Sequence, residues 1–330
     1  MSLPPGYRLR PFEPRDQKGV VRLLCAHFQG WASRRDPESF FRWKHIHNPF
    51  GPSLMSVVEY DGSIVAFRAF LRWCFQHRGE PVSAVRGADA VTDPAHIRRG
   101  LWQAMTVVDL RRLHGQADIA LAHGNVKTQT GYQKLGWQEV SSFVPLVTPV
   151  NLRRLVWRRT QGVTQALFAP VESRAVQDTL DSLIEAVPSN SNQVNTAPSM
   201  DYLQWRYLRL PDPRYRAVVT DLTGGYVGVT IGWIRRRRGL REFRISSILA
   251  PVTTPQARRK LMDSYRQLPV DYLVQLAGPG IRPIRSTSIL DRPWPRGRVR
   301  LLGTQLKEDF PLPGQESWNL MLGDLEGVLF

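Results

Sequence analysis

Cysteine is almost missing from this chain: Cys25 and Cys74 are the only two among 330 residues. Two thiols with apolar or aromatic neighbours make no disulfide framework, so the expectation is a cytoplasmic protein with reduced thiols. Lysine is scarce as well, standing only at positions 18, 44, 127, 134, 260 and 307. No apolar run approaches the roughly 18 residues of a membrane span. The opening Met1-Ser2-Leu3-Pro4-Pro5 lacks the basic-then-apolar order of a secretion signal. His, Cys, Asp and Glu nowhere recur at metal-ligand spacing, so no metal is expected. A Ser-centred nucleophile elbow and a pair of glycosidase carboxylates are missing too.

What the chain does have is charge of one sign. Lys and Arg number 45 against 28 Asp and Glu, a net +17 carried almost wholly by arginine. That excess fits biased composition equally with attraction to a polyanion: a nucleotide cofactor, nucleic acid or an anionic surface. The densest run, Arg235 to Arg238 before Gly239, reads as a solvated hairpin tip, and without interleaved aromatics it is a poor RNA-binding stretch. With 42% hydrophobic and 22% charged residues the chain is globular and long enough for two ordinary domains.

Two segments echo each other. Phe40-Phe41-Arg42-Trp43-Lys44 leads to Pro49, and Tyr202-Leu203-Gln204-Trp205-Arg206 leads to Pro211. Around the first, the pattern predicts a strand over 7–12, a helix from Asp16 to Phe28, and a helix opened by Asp36 as N-cap with Pro37 in its first turn. Strands 56–60 and 64–73 follow across Asp61-Gly62, then strand 82–92, helix 100–113, strand 119–122, helix 128–135 and strand 137–147. The second half repeats the order: strand 166–170, helix 176–186, the Trp205 helix, strands 217–221, 227–234 and 243–249, helix 255–268, strand 272–276 and a last strand over 318–322. These alternating elements predict an α/β fold in two similar units, residues 1–150 and 163–330, joined by a linker at 151–162. Each unit is expected to be a mixed, mostly antiparallel sheet flanked by helices. Monomer and homodimer both remain open, since paired units can cover each other's sheet edges.

The chemistry concentrates in Val91-Thr92-Asp93-Pro94-Ala95-His96-Ile97-Arg98-Arg99-Gly100-Leu101. A strand ends, a proline turns the chain, two arginines and a glycine follow, and an amphipathic helix begins. The first turn of a helix offers amides without internal partners plus partial positive charge. A diphosphate there would meet backbone N–H groups, Arg98 and Arg99, and Gly100 lets the main chain come close. The helix dipole supplies only about 0.3–1 kcal/mol, so charge-assisted hydrogen bonds must carry much of the affinity. Downstream, Asn125 follows a strand, and Tyr132-Gln133-Lys134-Leu135-Gly136-Trp137 closes the next helix.

With those residues in view, the sequence resembles the GNAT acyltransferases, which use acyl-coenzyme A. Their pyrophosphate loop, Gln/Arg-x-x-Gly-x-Gly/Ala after a V-x-P turn, is similar to Val91 to Gly100, and their Asn then Tyr-x-x-x-Gly-Phe/Trp is similar to Asn125 and Tyr132 to Trp137. The Phe-Phe-Arg-Trp-Lys to Asn-Pro segment is similar to members associated with polysaccharide clusters. Ile97 stands where the family has Gln or Arg, and Trp102 where it has a small residue. In the second half, Thr253 to Leu261 matches the turn with one residue fewer and Lys260 in place of Gly100.

The resemblance implies acetyl-CoA or another acyl-CoA as co-substrate, bound by Ala90, Val91, Thr92, Arg98, Arg99, Gly100, Leu101, Trp102 and Asn125. It implies Tyr132 as the acid that protonates the departing thiolate and Asp89 as a candidate base, with Glu59 and His123 the other strand-end candidates. The acceptor would be a small amine or amino sugar held between the two units, the second of which has lost its cofactor site. Two other classes stay open: a Fem-type transferase using aminoacyl-tRNA, which the charge would suit, and a non-catalytic binding protein. Trp43 and Trp205 read as core anchors.

Overall fold

The computed structural model describes residues 3–124, 126–150, 168–186, 192–211, 215–250, 254–281, 283–284, 292–293 and 298–325. Asn125 and the expected linker at 151–162 lie outside the described residues.

Each half follows its hydrophobic period. The first runs β1 (Tyr7–Pro11), α1 (Gln17–His27), α2 (Gln29–Ala32), α3 (Pro37–Phe41), β2 (Leu54–Tyr60), β3 (Ser63–His77), β4 (Glu80–Thr92), α4 (Leu101–Leu113), β5 (Ile119–Ala122), α5 (Val126–Lys134) and β6 (Gln138–Pro149). The second runs β7 (Ala169–Pro170), α6 (Arg174–Ala186), β8 (Asn195–Thr196), α7 (Met200–Leu203), β9 (Tyr215–Asp221), β10 (Val227–Arg237), β11 (Leu240–Leu249), α8 (Pro255–Gln267), β12 (Tyr272–Ala277), β13 (Arg292–Pro293) and β14 (Val299–Gln305). As expected from Asp36, its carboxylate caps α3 by accepting from the Ser39 amide at 2.9 Å. Helices α3 and α7 both pass into one π-helical turn, Arg42–Ile46 and Gln204–Leu208. Both β3–β4 and β10–β11 turn through a left-handed arginine, Arg78 at φ 54° and Arg238 at φ 51°, as a two-residue hairpin requires. The Arg235–Arg237 stretch continues β10 into an exposed tip.

The described strands form one mixed sheet in the order β1-β2-β3-β4-β5-β14-β6-β12-β11-β10-β9-β7, with β13 against β6 and β8 against β3. Its long pairs are antiparallel, while β4–β5 and β11–β12 are parallel. The last strand of each half reaches into the other: β14 lies between β5 and β6, and β6 goes on to pair with β12 over Val144–Pro149. The expected last strand at Trp318–Leu322 is a correction. That segment makes a single bridge, Val194 to Trp318, and its fully buried indole packs edge-on to Phe75. Its alternating apolar residues fill the core instead of extending a ladder.

Helices α1 and α3 cover one face of β3 and β4, against Phe67, Ala69 and Leu71; α4 and α5 cover the other, against Phe70, Val85 and Ala120. Where the halves meet, Trp43 and Trp205 stack at 4.8 Å and exchange hydrogen bonds. Each indole N–H donates to the other's carbonyl, at 2.7 and 2.8 Å. The two rings are therefore reciprocal core anchors. Cys25 and Cys74 are free thiols.

Candidate active site

At the end of β4, Asp93 accepts from the Ala95 amide at 2.9 Å, and Pro94–His96 make one 3-10 turn. Ile97 is extended, Arg98 is left-handed at φ 63°, and Gly100 is left-handed at φ 75° as the N-cap of α4. Left-handed residues on both sides of Arg99 turn successive amides toward one side, a geometry that forms anion-binding concavities. The first amide to enter the helical ladder is that of Ala104, which donates to Gly100 at 2.9 Å. Among the described residues, the Arg99 amide closes a turn over Ile97 and Arg98, and none of the amides from Gly100 to Gln103 donates to a protein acceptor. Arg98, Arg99 and Gly100 are exposed, and no atom lies within 4 Å of where a Gly100 Cβ would stand. The Arg99 guanidinium sits 5.7 Å over the ring of Tyr7, whose hydroxyl bonds His96 at 2.8 Å.

Behind the turn the sheet opens. Strand β4 pairs with β5 only through Ala84–Arg86, whereas its pairing with β3 continues to Thr92. Among the described residues, one edge of β4 from Gly87 onward, including Ala90, Val91 and Thr92, has no strand neighbour. The register also slips: Phe67 faces Val91, but Ala69 faces Ala88, so β4 carries an extra residue and Asp89 sits at φ 46°. This bulge re-aims the main chain at the widening of the wedge.

Tyr132, on α5, is buried at the throat of the wedge. Gly87 is essential to that placement, because any Cβ there would collide with the Tyr132 hydroxyl. Arg68 Nη2 donates to that hydroxyl at 2.6 Å. Trp102 meets Tyr132 edge-on at 5.1 Å and lies against Gly131, so its indole occupies the gap between α4 and α5.

Asp89 faces the opposite side. Its carboxylate accepts from Lys44 at 2.7 Å, from His45 Nε2 at 3.0 Å and from the Trp31 indole at 3.1 Å. The π-helical turn brings the consecutive residues Lys44 and His45 onto this one carboxylate, and Ser53 fixes the far ring nitrogen of His45 at 3.0 Å. Burial acts to raise the Asp89 pKa, but the Lys44 charge and the His45 hydrogen bond outweigh it and hold the carboxyl well below its usual range. Of the other strand-end acids and bases, Glu59 is bonded to Arg10, which depresses its pKa, and His123 is half-buried at the end of β5. A cleft of about 560 Å³ lies along α1, but its Arg10, Asp16 and Glu59 already bond one another.

The fold thus places Ala90, Val91 and Thr92 at the end of β4, Arg98, Arg99, Gly100, Leu101 and Trp102 at the start of α4 and Tyr132 on α5, with Asp89 at the bulge. Arg68, Trp31, Lys44 and His45 escape the sequence reading. For Arg68 a signal exists: it is the lone charge in Val65-Ala66-Phe67-Arg68-Ala69-Phe70-Leu71, a strand segment otherwise apolar on both faces.

No protein-family profile matches the chain, and no curated protein matches it. Solved structures do. A GCN5-related N-acetyltransferase from Anabaena variabilis superposes with TM-score 0.65 at 12% identity, over 91% of this chain and 73% of that one. A probable N-acyltransferase from Enterococcus faecalis gives TM-score 0.68 at 11% identity, over 91% and 72%. A GCN5-related N-acetyltransferase from Kribbella flavida gives 0.58 at 15% identity, over 90% and 70%.

Proposed function

We propose that this chain, which carries the fold of the GCN5-related N-acetyltransferases, transfers an acyl group from acetyl-CoA or another acyl-CoA to an amine on a small molecule such as an amino sugar. The observation that carries the reading is the run of unpartnered amides at the start of α4, beside a strand edge that has a buried phenol against its Gly87. In this reading Arg98, Arg99 and the amides of Gly100 and Leu101 hold the diphosphate. The free edge of Ala90 to Thr92 bonds the pantetheine arm, and a main-chain donor at the bulge polarises the thioester carbonyl. The amine attacks that carbon directly, and Tyr132 protonates the departing sulfur.

Asp89 takes a different role from the one first expected of it. A carboxylate already stabilised by Lys44, His45 and Trp31 is a weak proton acceptor, so its part is to hold the bulge, and the amine enters unprotonated. We read the chain as two units, 1–150 and 163–330, of which the first works and the second forms a wall of the acceptor groove. Trp102 must swing from the α4–α5 gap to admit the pantetheine arm. The cytoplasm, where acyl-CoA is at hand, is the compartment this reading implies.

Calorimetric titration with acetyl-CoA and longer acyl-CoAs, followed by free-thiol release with a panel of amines, tests the proposal. One-site binding with amine-dependent release is expected. Binding without release across the panel points to the non-catalytic alternative, which Trp102 favours. Salt-sensitive tRNA binding without acyl-CoA binding points to the Fem-type alternative.

A further inference from the structure

Arg68 is 1% exposed, and the pocket around it is made of rings: its guanidinium lies 4.4 Å over Phe70, 5.1 Å over Trp102 and 5.5 Å over Tyr132. Nη2 donates to the Tyr132 hydroxyl at 2.6 Å, while Nε and Nη1 have no hydrogen-bond partner. Among the described residues no carboxylate forms an ion pair with it. Asp109 senses its charge but is itself bonded to Ser56 and paired with Arg112. Aromatic faces return part of the lost hydration through cation–π attraction, yet an unneutralised buried cation remains costly, and an apolar side chain of similar volume would fit the same walls at no such cost.

We infer that Arg68 is a positioning residue for the proposed acid. Its Nη2–H fills one lone pair of the Tyr132 oxygen, which turns the phenol's own proton away from the guanidinium and into the wedge beside Gly87. Its uncompensated charge then holds the phenolate left when that proton departs. This rests on the acyl-transfer reading of the site. The step balances as follows: the amine nitrogen bonds the carbonyl carbon, the C–S bond breaks with its electron pair on sulfur, and the Tyr132 proton goes to sulfur. The proton lost from nitrogen returns through water to the Tyr132 oxygen. The guanidinium neither gains nor loses a proton.

A double-mutant cycle reads this directly. Tyr132→Phe should lower kcat by about a hundredfold with acetyl-CoA affinity unchanged. Arg68→Met should lower kcat by roughly tenfold to a hundredfold, again without moving the acetyl-CoA Kd, and the double variant should be no slower than Tyr132→Phe alone. Arg68→Lys, which keeps a charged donor, should stay within about tenfold of the parent, and should Arg68→Met fail to fold it carries the cycle in its place. A second readout needs no turnover: the ring Cζ resonance of Tyr132 in isotope-labelled protein, assigned by its loss in Tyr132→Phe, should move in Arg68→Met and less in Arg68→Lys. Multiplying losses in the double variant, a weakened acetyl-CoA Kd in Arg68→Met, or an unmoved Tyr132 resonance would each overturn the inference. Failure of the parent protein to bind acyl-CoA would instead remove the acyl-transfer reading, with the resonance still reporting the contact.

Discussion

Helices α4 and α8 follow equivalent strands in the two halves, yet they begin in opposite ways. Before α4 the chain spends four irregular residues, Ile97 to Gly100, two of them left-handed, and no side chain caps the helix. At α8 Pro255 stands in the first turn, and the Thr254 hydroxyl accepts from the Ala257 amide at 3.2 Å. Proline has no N–H to offer, and the cap consumes another donor. One helix start therefore presents a row of free amides, and the other has been closed by its own local chemistry. Lys260, which the sequence sets opposite Gly100, is an exposed residue within α8. The same fold can be kept while a row of free amides is opened or closed in a handful of positions.

The bulges differ in the same sense. In β11 Ile231 faces Ser247 and Gly232 faces Ile245, leaving Ser246 as the extra residue where β4 has Asp89. The Ser246 carbonyl accepts from the Gly323 amide at 2.9 Å, and the Gly323 carbonyl accepts from Arg206 Nε at 3.1 Å. Asp324 ties the same tail to Thr196 at 2.5 Å and to Tyr202 at 3.3 Å. The chain's own C-terminal segment lies where the second half would otherwise leave its bulge open.

The largest effect that could break this comparison is on binding. Gly100→Asp places a carboxylate among the free amides, and acyl-CoA affinity should fall at least about a hundredfold, near 3 kcal/mol. Lys260→Gln, the matching one-unit charge change in the second half, should alter Kd less than about twofold by calorimetry. Equal losses would mean that net charge, not the α4 corner, governs binding.

Stability against pH sharpens the contrast between the same two helices. Asp109 in α4 and Asp263 in α8 each pair with an arginine three residues on, at 3.5 and 2.9 Å. Asp263 is exposed, but Asp109 is fully buried, and burial pushes its carboxyl up to about 6 against the hydrogen bond from Ser56 and the charges of Arg68 and Arg112. A raised folded-state pKa means the native state binds more protons than the unfolded chain. Its stabilising effect is complete below about pH 4 and is lost as pH rises through about 6, on the order of 3 kcal/mol. Asp109→Asn should flatten that decline in denaturant melts, whereas Asp263→Asn should change stability by less than about 0.5 kcal/mol at any pH.

Much of this frame was legible in the sequence because it is written locally. The Asp61-Gly62 turn, the Asp36 cap, the start of α4 at Gly100 and the reading of Trp43 and Trp205 as core anchors each rest on a few neighbouring residues or a short repeat. The exchange of β6 and β14 was not legible, because strand order depends on which edges the rest of the chain leaves open. Val299–Gln305 is a strand absent from the sequence-based expectations, while Trp318-Asn319-Leu320-Met321-Leu322 alternates like a strand and is none. At the site, Tyr132 and the Arg98–Leu101 corner were marked by motif. Arg68 and the Lys44–His45 clasp on Asp89 depend on side chains meeting across distant elements.

The tail offers a test of middle size. A Cβ on Gly323 would press on the Tyr207 hydroxyl and the Ser246 carbonyl, so Gly323→Ala should cost about 2 kcal/mol in denaturant melts. Acyl-CoA Kd should stay put, because the first half's wedge shares none of those contacts. A coupled loss of affinity would show that the tail supports both halves.

The smallest effect tests whether capping alone shut the second helix. Thr254→Ala removes the hydroxyl that holds the Ala257 amide, and such a loss costs about 1 kcal/mol. It frees one donor at α8, making its start a little more like that of α4. It does not restore the left-handed pair or the glycine, and Pro255 still lacks an N–H. Calorimetric stoichiometry for acyl-CoA should therefore remain one, with Kd unchanged and only the melting midpoint lowered. A second equivalent bound by Thr254→Ala would mean that a single hydroxyl, and not the shortened loop, separates the two halves.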